Sequence, residues 1–550
     1  MASKLVRSQV CRGRNGAGVL THGLTMSELV HDFVFDAAHR TPDAEALVYG
    51  DARLDYRALA QSVAGAGAAI RAAGVERGER VAVYLEKRIE TVTALFGASA
   101  AGAVFVPVNP LLKPEQVAYI LADCNVRLLV TSPERLRQLA PVLAACPDLR
   151  TVLVTGETEA CGALQVRAWD AALAAADTSP ANAAVRRIDA DVAAILYTSG
   201  STGRPKGVVL SHRNLVAGAH SVAQYLAIAP SDRLLAVLPL SFDYGLSQLT
   251  CAFLRGATAV LLNHLFARDV LKAVIDERIT GLAAVPPLWF QLVRLDWRAA
   301  TTLRYLTNSG GALPGATVTA LRAALPQAEL FLMYGLTEAF RSTYLPPAEL
   351  ARRPDSIGRA IPNAQVMVVR PDGTPCAPHE PGELVHRGAL VALGYWNDAA
   401  KTAERFRPAP GQDQALALAE IAVWSGDTVR MDEEGFLYFI GRSDEMIKVS
   451  GYRVSPTEIE EVVSATGLLE EAACFGVPHP ELGQAVVLVG VGDASVASLL
   501  LQECKRRLPA WMVPLHVALR ADPLPRNPNG KIDRKSLQSD CLNLFQEVQP

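Results

Sequence analysis

The sequence predicts an α/β fold through most of its length, a β-rich stretch after it and an α+β tail. Three observations predict this. Short apolar runs alternate with helical patterns through residues 27–150, and the alternation returns in DRLLAVLPL, ATAVLLN, GLAAVPP and LRYLTNSGG. From about Ala364 the texture changes to strand pairs joined by turns, as in AQVMVVRPDG and GELVHRG. After Gly441 helix and strand patterns mix in a compact tail.

Each element has a local reason. YRALAQSVAGAGAAIRAAG spaces its apolar residues for one face of a helix. RVAVYL and RLLVT read as short buried strands, and KPEQVAYILADCN between them reads as a helix with proline in its first turn. Strands alternating with helices make parallel sheets covered on both faces. The most apolar stretch, Thr93–Val108, is broken by glycines and reaches Pro107, which predicts a buried helix entering a strand rather than a membrane span. SPTEIEEVVSATG reads as a helix capped by Ser455 or Thr457. No internal repeat of 20–50 residues occurs.

Composition narrows the class. A chain of 550 residues with 50% hydrophobic content holds a large core and exceeds one ordinary domain. Charged residues make up 20% and the net charge is −3, which gives no sign of a nucleic-acid partner. The nine cysteines form no CxxC pair, which argues against a disulfide framework or zinc site and for a reducing compartment. Lys4, Arg7, Arg12 and Arg14 precede no apolar segment of the kind a secretory signal needs. Residues 1–26 read as a flexible arm, and the protein as soluble and cytoplasmic, with no membrane span.

The strongest motif is YTSGSTGRPKGVVLSH, Tyr197–His212. The strand VAAILYT runs into a loop of Thr198, Ser199, Gly200, Ser201, Thr202 and Gly203, then reaches Lys206 and a second strand, GVVLS. Glycines let backbone N–H groups approach a phosphate, hydroxyls donate hydrogen bonds and lysine adds charge. The Walker A spacing is absent, and a strand follows rather than a helix.

This string resembles the signature loop of the adenylate-forming superfamily, which holds acyl-CoA ligases, amino-acid adenylation domains and luciferases. Further motifs follow in that family's order: NSGGALP (Asn308–Pro314), MYGLTEAF (Met333–Phe340), the block Trp424–Val454 and NPNGKIDRK (Asn527–Lys535). The resemblance covers roughly residues 27–540. It implies a large N-terminal domain, residues 27–441, with two doubly wound sheets plus a β-rich subdomain. It also implies a small mobile α+β C-terminal domain, residues 442–550, capping an active site between the two.

The resemblance also implies the roles of individual residues. Gly310, Gly311, Tyr334 and Gly335 would surround the adenine and AMP, Ser309 would contact the acid substrate, and Thr337 would bond the α-phosphate. Glu338 would ligate Mg²⁺. Asp427 would accept hydrogen bonds from both ribose hydroxyls, with Arg442 nearby. Asp444 would be the hinge. Lys531 would stabilise charge during adenylation, and Lys448 would serve the thiol step. Phe242 would gate the acyl pocket. Asp243, an aspartate after a phenylalanine, would hold a substrate ammonium if the acid is an amino acid. AVPPLWFQL would form another pocket wall, with Trp289 either lining it or plain core.

The implied activity is an ATP- and Mg²⁺-dependent ligase that makes an acyl-adenylate from a carboxylic acid and passes the acyl group to coenzyme A. The alternative is an amino-acid ligase, prolyl-type, loading the phosphopantetheine of an acyl or peptidyl carrier protein. No carrier domain follows residue 550, so that carrier is expected on a separate chain. The overall texture is similar both to exosortase-associated acyl-CoA ligases and to prolyl-type ligases. A third reading is a non-catalytic nucleotide-binding relative, against which the presence of Lys206, Glu338, Asp427 and Lys531 speaks.

Overall fold

The computed structural model describes residues 28–179, 187–198, 205–413, 415–442, 445–449, 452–480, 482–527 and 530–545. The expected arm at residues 1–26 lies outside them. A large, sheet-rich N-terminal domain carries a smaller C-terminal domain, and the local readings above hold in it. The helical pattern becomes Tyr56–Ala72, the prolyl-started helix is Pro114–Asp123, and Thr93–Val108 divides into the helix Ile89–Ala101 and the strand Val104–Pro107. Among the described residues no helix is long and apolar enough to cross a membrane.

The first sheet has fourteen strands among the described residues. Its parallel part runs Glu45–Tyr49, Thr258–Leu261, Arg233–Ala236, Gly281–Ala284, Tyr305–Asn308 and Glu329–Tyr334 in spatial order. All but the last are runs of four or five residues with buried centres, as strands covered on both faces require. The β-rich part does not stand apart from this sheet. Thr343–Leu345 and Ser356–Ala360 turn the ladder antiparallel and join it to Leu437–Arg442, Ile421–Met431, Gly382–Gly388 and Ala364–Val369.

The second sheet has eight strands among the described residues, with a parallel run through Val192–Thr198, Val104–Pro107, Arg80–Tyr84 and Val126–Thr131. Lys206–Ser211 returns antiparallel to Val192–Thr198, and Gly394–Tyr395 pairs with it in turn. The tail forms a third sheet, of five strands among the described residues, around the long hairpin Glu471–His479 and Gly483–Val491. Its helix Pro456–Ser464 is capped by Ser455, whose hydroxyl accepts from the Glu458 N–H at 3.3 Å; Thr457 plays no such part.

Candidate active site

Parallel α/β sheets bind ligands beyond the carboxyl ends of their strands, because the loops there diverge and leave a crevice. The segments singled out in the sequence leave such ends. Thr198 ends Val192–Thr198, Ser309–Gly311 follow Tyr305–Asn308, and Gly335–Glu338 follow Glu329–Tyr334. Phe242 and Asp243 follow the end of Arg233–Ala236 by a few residues, and Val285–Pro287 follow Gly281–Ala284. All line one cleft of about 2260 Å³, which the C-terminal segment around Lys531 closes from the other side.

Within the cleft, Lys206 opens its strand opposite Thr198 and sets its ammonium 5.4 Å from the centre of the Tyr395 ring. Burial lowers the Lys206 pKa, and repulsion from Lys401 lowers it further. The Tyr395 hydroxyl donates to Glu338 Oε1 at 2.5 Å, and the Ala392 N–H holds the Glu338 carbonyl at 2.8 Å. Strand pairing explains this meeting: Tyr395 stands opposite Val208, two residues past Lys206. Thr337 is buried and donates to Asp243 Oδ1 at 3.5 Å.

At the other end, Asp427 and Arg442 face each other across the ladder, with 3.6 Å between Oδ1 and Nη1. The Tyr334 hydroxyl donates to the second oxygen of Asp427, and Ser425 Oγ accepts the Asp427 N–H at 3.1 Å. Oδ1 of Asp427 has no hydrogen-bond partner among the described residues. Burial pushes the Asp427 pKa up, and the Arg442 charge pulls it back.

Gly310 has φ +83°, a conformation that glycine alone adopts freely. A side chain there would meet Val285 at 3.5 Å, Phe242 at 3.8 Å and Lys531 Cε at 4.0 Å, so the lysine arm lies against this turn. Gly311 packs likewise against Pro286. The Lys531 side chain is exposed to the cleft, with protein crowded around it. Enclosure lowers its pKa, Asp243 raises it and Arg442 lowers it again. Its backbone is tied to Asn527 in both directions, at 2.8 and 3.1 Å. Phe242 stands edge-on to Tyr244 at 6.2 Å and half-buried in the wall. Asp243 starts the helix Asp243–Arg255 and is 4% exposed; its pKa rises through burial and is pulled back by Arg341 and Lys531. Trp289 is core: it is fully buried and donates to Ala284 O at 3.1 Å.

The structure thus brings together Thr198, Lys206, Phe242, Asp243, Ser309, Gly310, Gly311, Tyr334, Gly335, Thr337, Glu338, Asp427, Arg442 and Lys531. Ser199, Gly200, Ser201, Thr202, Gly203 and Asp444 lie outside the described residues. Lys448 is in the strand Ile447–Val449, opposite Arg453, with its side chain outside the description. Two residues escaped the sequence reading. Tyr395 lies 57 residues from the carboxylate it holds, and Arg341 falls three places after Glu338. The tyrosine of GYWND carried no local signal; the arginine did, as the one charge in AFRSTYL.

Comparison with known proteins agrees with this geometry. The family model described as AMP-binding enzyme matches residues 34–396, and that of the AMP-binding enzyme C-terminal domain matches 458–531. The chain is 31% identical to L-proline--[L-prolyl-carrier protein] ligase of Pseudomonas fluorescens, over 93% of this chain and 99% of that protein. It is 32% identical to feruloyl-CoA synthase of an Amycolatopsis species, over 90% and 95%. Other relatives are far longer, and the chain spans only 6% to 10% of linear gramicidin synthase subunits B, C and D and of tyrocidine synthase 3 from Brevibacillus parabrevis. Its structure is similar to ATP-bound MatB from Rhodopseudomonas palustris, with TM-score 0.84 at 25% identity, covering 95% of this chain and 100% of that one. Motif order, cleft and likeness along nearly the whole chain converge: the chain belongs to the AMP-binding enzyme family.

Proposed function

We propose that the cleft activates a carboxylic acid with ATP·Mg²⁺ and then transfers the acyl group to the thiol of coenzyme A. The observation that carries this reading is the convergence of Thr337, Glu338, Asp427 and Lys531, from three distant segments, on one cavity. Oδ1 of Asp427 faces Arg442 but accepts no hydrogen bond among the described residues, which supports a ribose hydroxyl as its donor. Mg²⁺ is bound through one or two carboxylates plus substrate phosphates, and Glu338 fits that role with one oxygen steadied by Tyr395. When bound, the ion would neutralise phosphate charge as pyrophosphate leaves. Among the described residues no cluster of three or more acidic, histidine or cysteine side chains offers it another seat.

The steps follow from the residues. Asp427 and Arg442 orient the ribose. Thr337 and Lys531 hold the α-phosphate and the attacking carboxylate together, so that the O–P bond to the acid forms as the bond to pyrophosphate breaks. A thiol then attacks the acyl carbon and AMP leaves. We place the domain boundary at residues 441–442 and the hinge at Asp444. A rotation there would withdraw Lys531 and bring up Lys448 for the second step.

A second reading has its own support. Asp243 is a buried carboxylate next to Phe242, where it would take the ammonium of an amino acid destined for a carrier protein. An ATP–pyrophosphate exchange screen across amino, fatty and aryl acids tests the activity. Coenzyme A and a phosphopantetheinylated carrier, offered in parallel, test the acceptor. Exchange with an amino acid, weakened by about 2–5 kcal/mol in Asp243→Ala, supports the carrier reading. Strong activity on a simple fatty acid, unchanged in that variant, removes it. If no acid supports exchange, the non-catalytic reading stands.

A further inference from the structure

Arg341 is a buried charge that the adenylation chemistry does not use. It lines the cleft beside Asp243 and Ser309 while only 1% exposed. Its Nη1 donates to Ser309 Oγ at 3.2 Å, and its guanidinium lies 4.8 Å from the centre of the Tyr244 ring. Nε and Nη2 are buried with no hydrogen-bond partner among the described residues. No carboxylate there lies within 4.0 Å of it, although Asp243 is near enough to feel its charge. One neutral hydrogen bond and one aromatic face offset little of the cost of burying a cation.

The backbone is bent to put it there. Phe340 has φ +54° and ψ −51°, and the Arg341 N–H closes back on the Ala339 carbonyl at 2.5 Å. This is a γ-turn of the rare positive-φ kind, which a bulky residue enters only under strain. The fully buried Phe340 ring fixes it, packed where Gly218 leaves room; a methyl group on Gly218 would fall 2.4 Å from that ring. Strain and a carved seat together hold an arginine against the acyl end of the cleft, with two donors spare. The planar fork of a guanidinium matches a carboxylate, which accepts two parallel hydrogen bonds.

We propose that Arg341 is the specificity residue of the acyl pocket, and that the acid carries a second carboxylate on its tail, which the guanidinium receives. This rests on the acid-activating reading and narrows its substrate class under either acceptor. Fatty acids and simple aryl monoacids are disfavoured, because an apolar tail would leave the cation buried and unpaired. Asp243 faces the same pocket, so an amino dicarboxylic acid would satisfy both charges at once.

The test uses matched acids. Succinate, glutarate, L-aspartate, L-glutamate and benzene-1,2-dicarboxylate are each compared with the ω-monomethyl ester in pyrophosphate exchange, with the wild type, Arg341→Lys and Arg341→Leu. The expected result is a diacid preferred over its ester by the wild type. Arg341→Leu should lose about a hundredfold or more in kcat/KM on the diacid and little on the ester. Arg341→Lys should retain an intermediate preference, since it keeps the charge and loses the fork. A best substrate with no second anionic group overturns the proposal. So does an Arg341→Leu variant that loses diacid and ester in the same ratio, which would mark a purely structural arginine. Melting temperature with a non-hydrolysable ATP analogue supplies a readout free of catalysis. A diacid that stabilises the wild type but not Arg341→Leu supports the proposal even if the catalytic reading fails. No shift with any of the diacids overturns it.

Discussion

At the scale of single residues, the most consequential contact is the Tyr395 hydroxyl on Glu338. A carboxylate that is to hold an ion must not rotate away from it, and one hydrogen bond fixes one oxygen. Glu338→Gln keeps the shape and removes the charge, so pyrophosphate exchange should fall sharply and recover only in part with added Mg²⁺. Tyr395→Phe should be milder: exchange at saturating Mg²⁺ near normal, with the Mg²⁺ needed for half-maximal rate raised about tenfold, the worth of one hydrogen bond to a charged group. Normal Mg²⁺ dependence in both variants would dismiss Glu338 as the ligand. Residues of this kind show how far the sequence could be read. Glu338 was legible because an ordered motif surrounds it. Tyr395 was not, because its meaning lies in a strand pairing that brings residue 395 opposite residue 208.

At the scale of elements, the junction between the parallel sheet and its antiparallel continuation carries a titratable group. His386 in Gly382–Gly388 is fully buried, with Nδ1 on the Ser342 hydroxyl at 2.8 Å and Nε2 unpartnered among the described residues. Burial lowers its pKa to about 4 from the usual 6.5. The unfolded chain therefore takes up a proton below about pH 6.5 while the folded one does not until about pH 4, so this contribution is complete above 6.5 and falls with pH through that window. The loss is at most about 1.4 kcal/mol per pH unit for one site. His31 and His212, lowered to about 4 and about 3, add the same sign. Urea unfolding of His386→Gln should show a shallower loss of stability between pH 6.5 and 4 than the wild type. Parallel pH profiles for the two proteins would refute the assignment. None of this was legible beforehand: the sequence shows a histidine in GELVHRG, and only the sheet joint decides that it is dry.

At the scale of the molecule, the proposed mechanism requires two arrangements of one small domain. Lys531 lies against Gly310 in this structure, as adenylation would need. Lys531→Ala should therefore slow adenylation by about 10²–10³ and spare thiol transfer from presynthesised acyl-AMP. Lys448→Ala should do the reverse, with exchange intact and thioester formation slowed. Single-turnover assays of each half-reaction decide between this and a fixed domain, for which both variants would lose both steps alike.

The sequence by itself determined the class of chain. Period and apolar run length produced the parallel strands and their helices, and the ordered motifs picked out segments that meet in one cleft, because both signals are local and survive being read along a line. Only the tertiary structure decided that the β-rich part continues the large sheet instead of forming a separate body. It alone seated Tyr395 on Glu338, and it alone turned Arg341 into the cleft. The physical reason is common to all three: each depends on which distant segments share a ladder or a wall, and on whether a polar group ends there with a partner. Desolvation and long-range pairing set those outcomes, and neither leaves a periodic mark in the sequence.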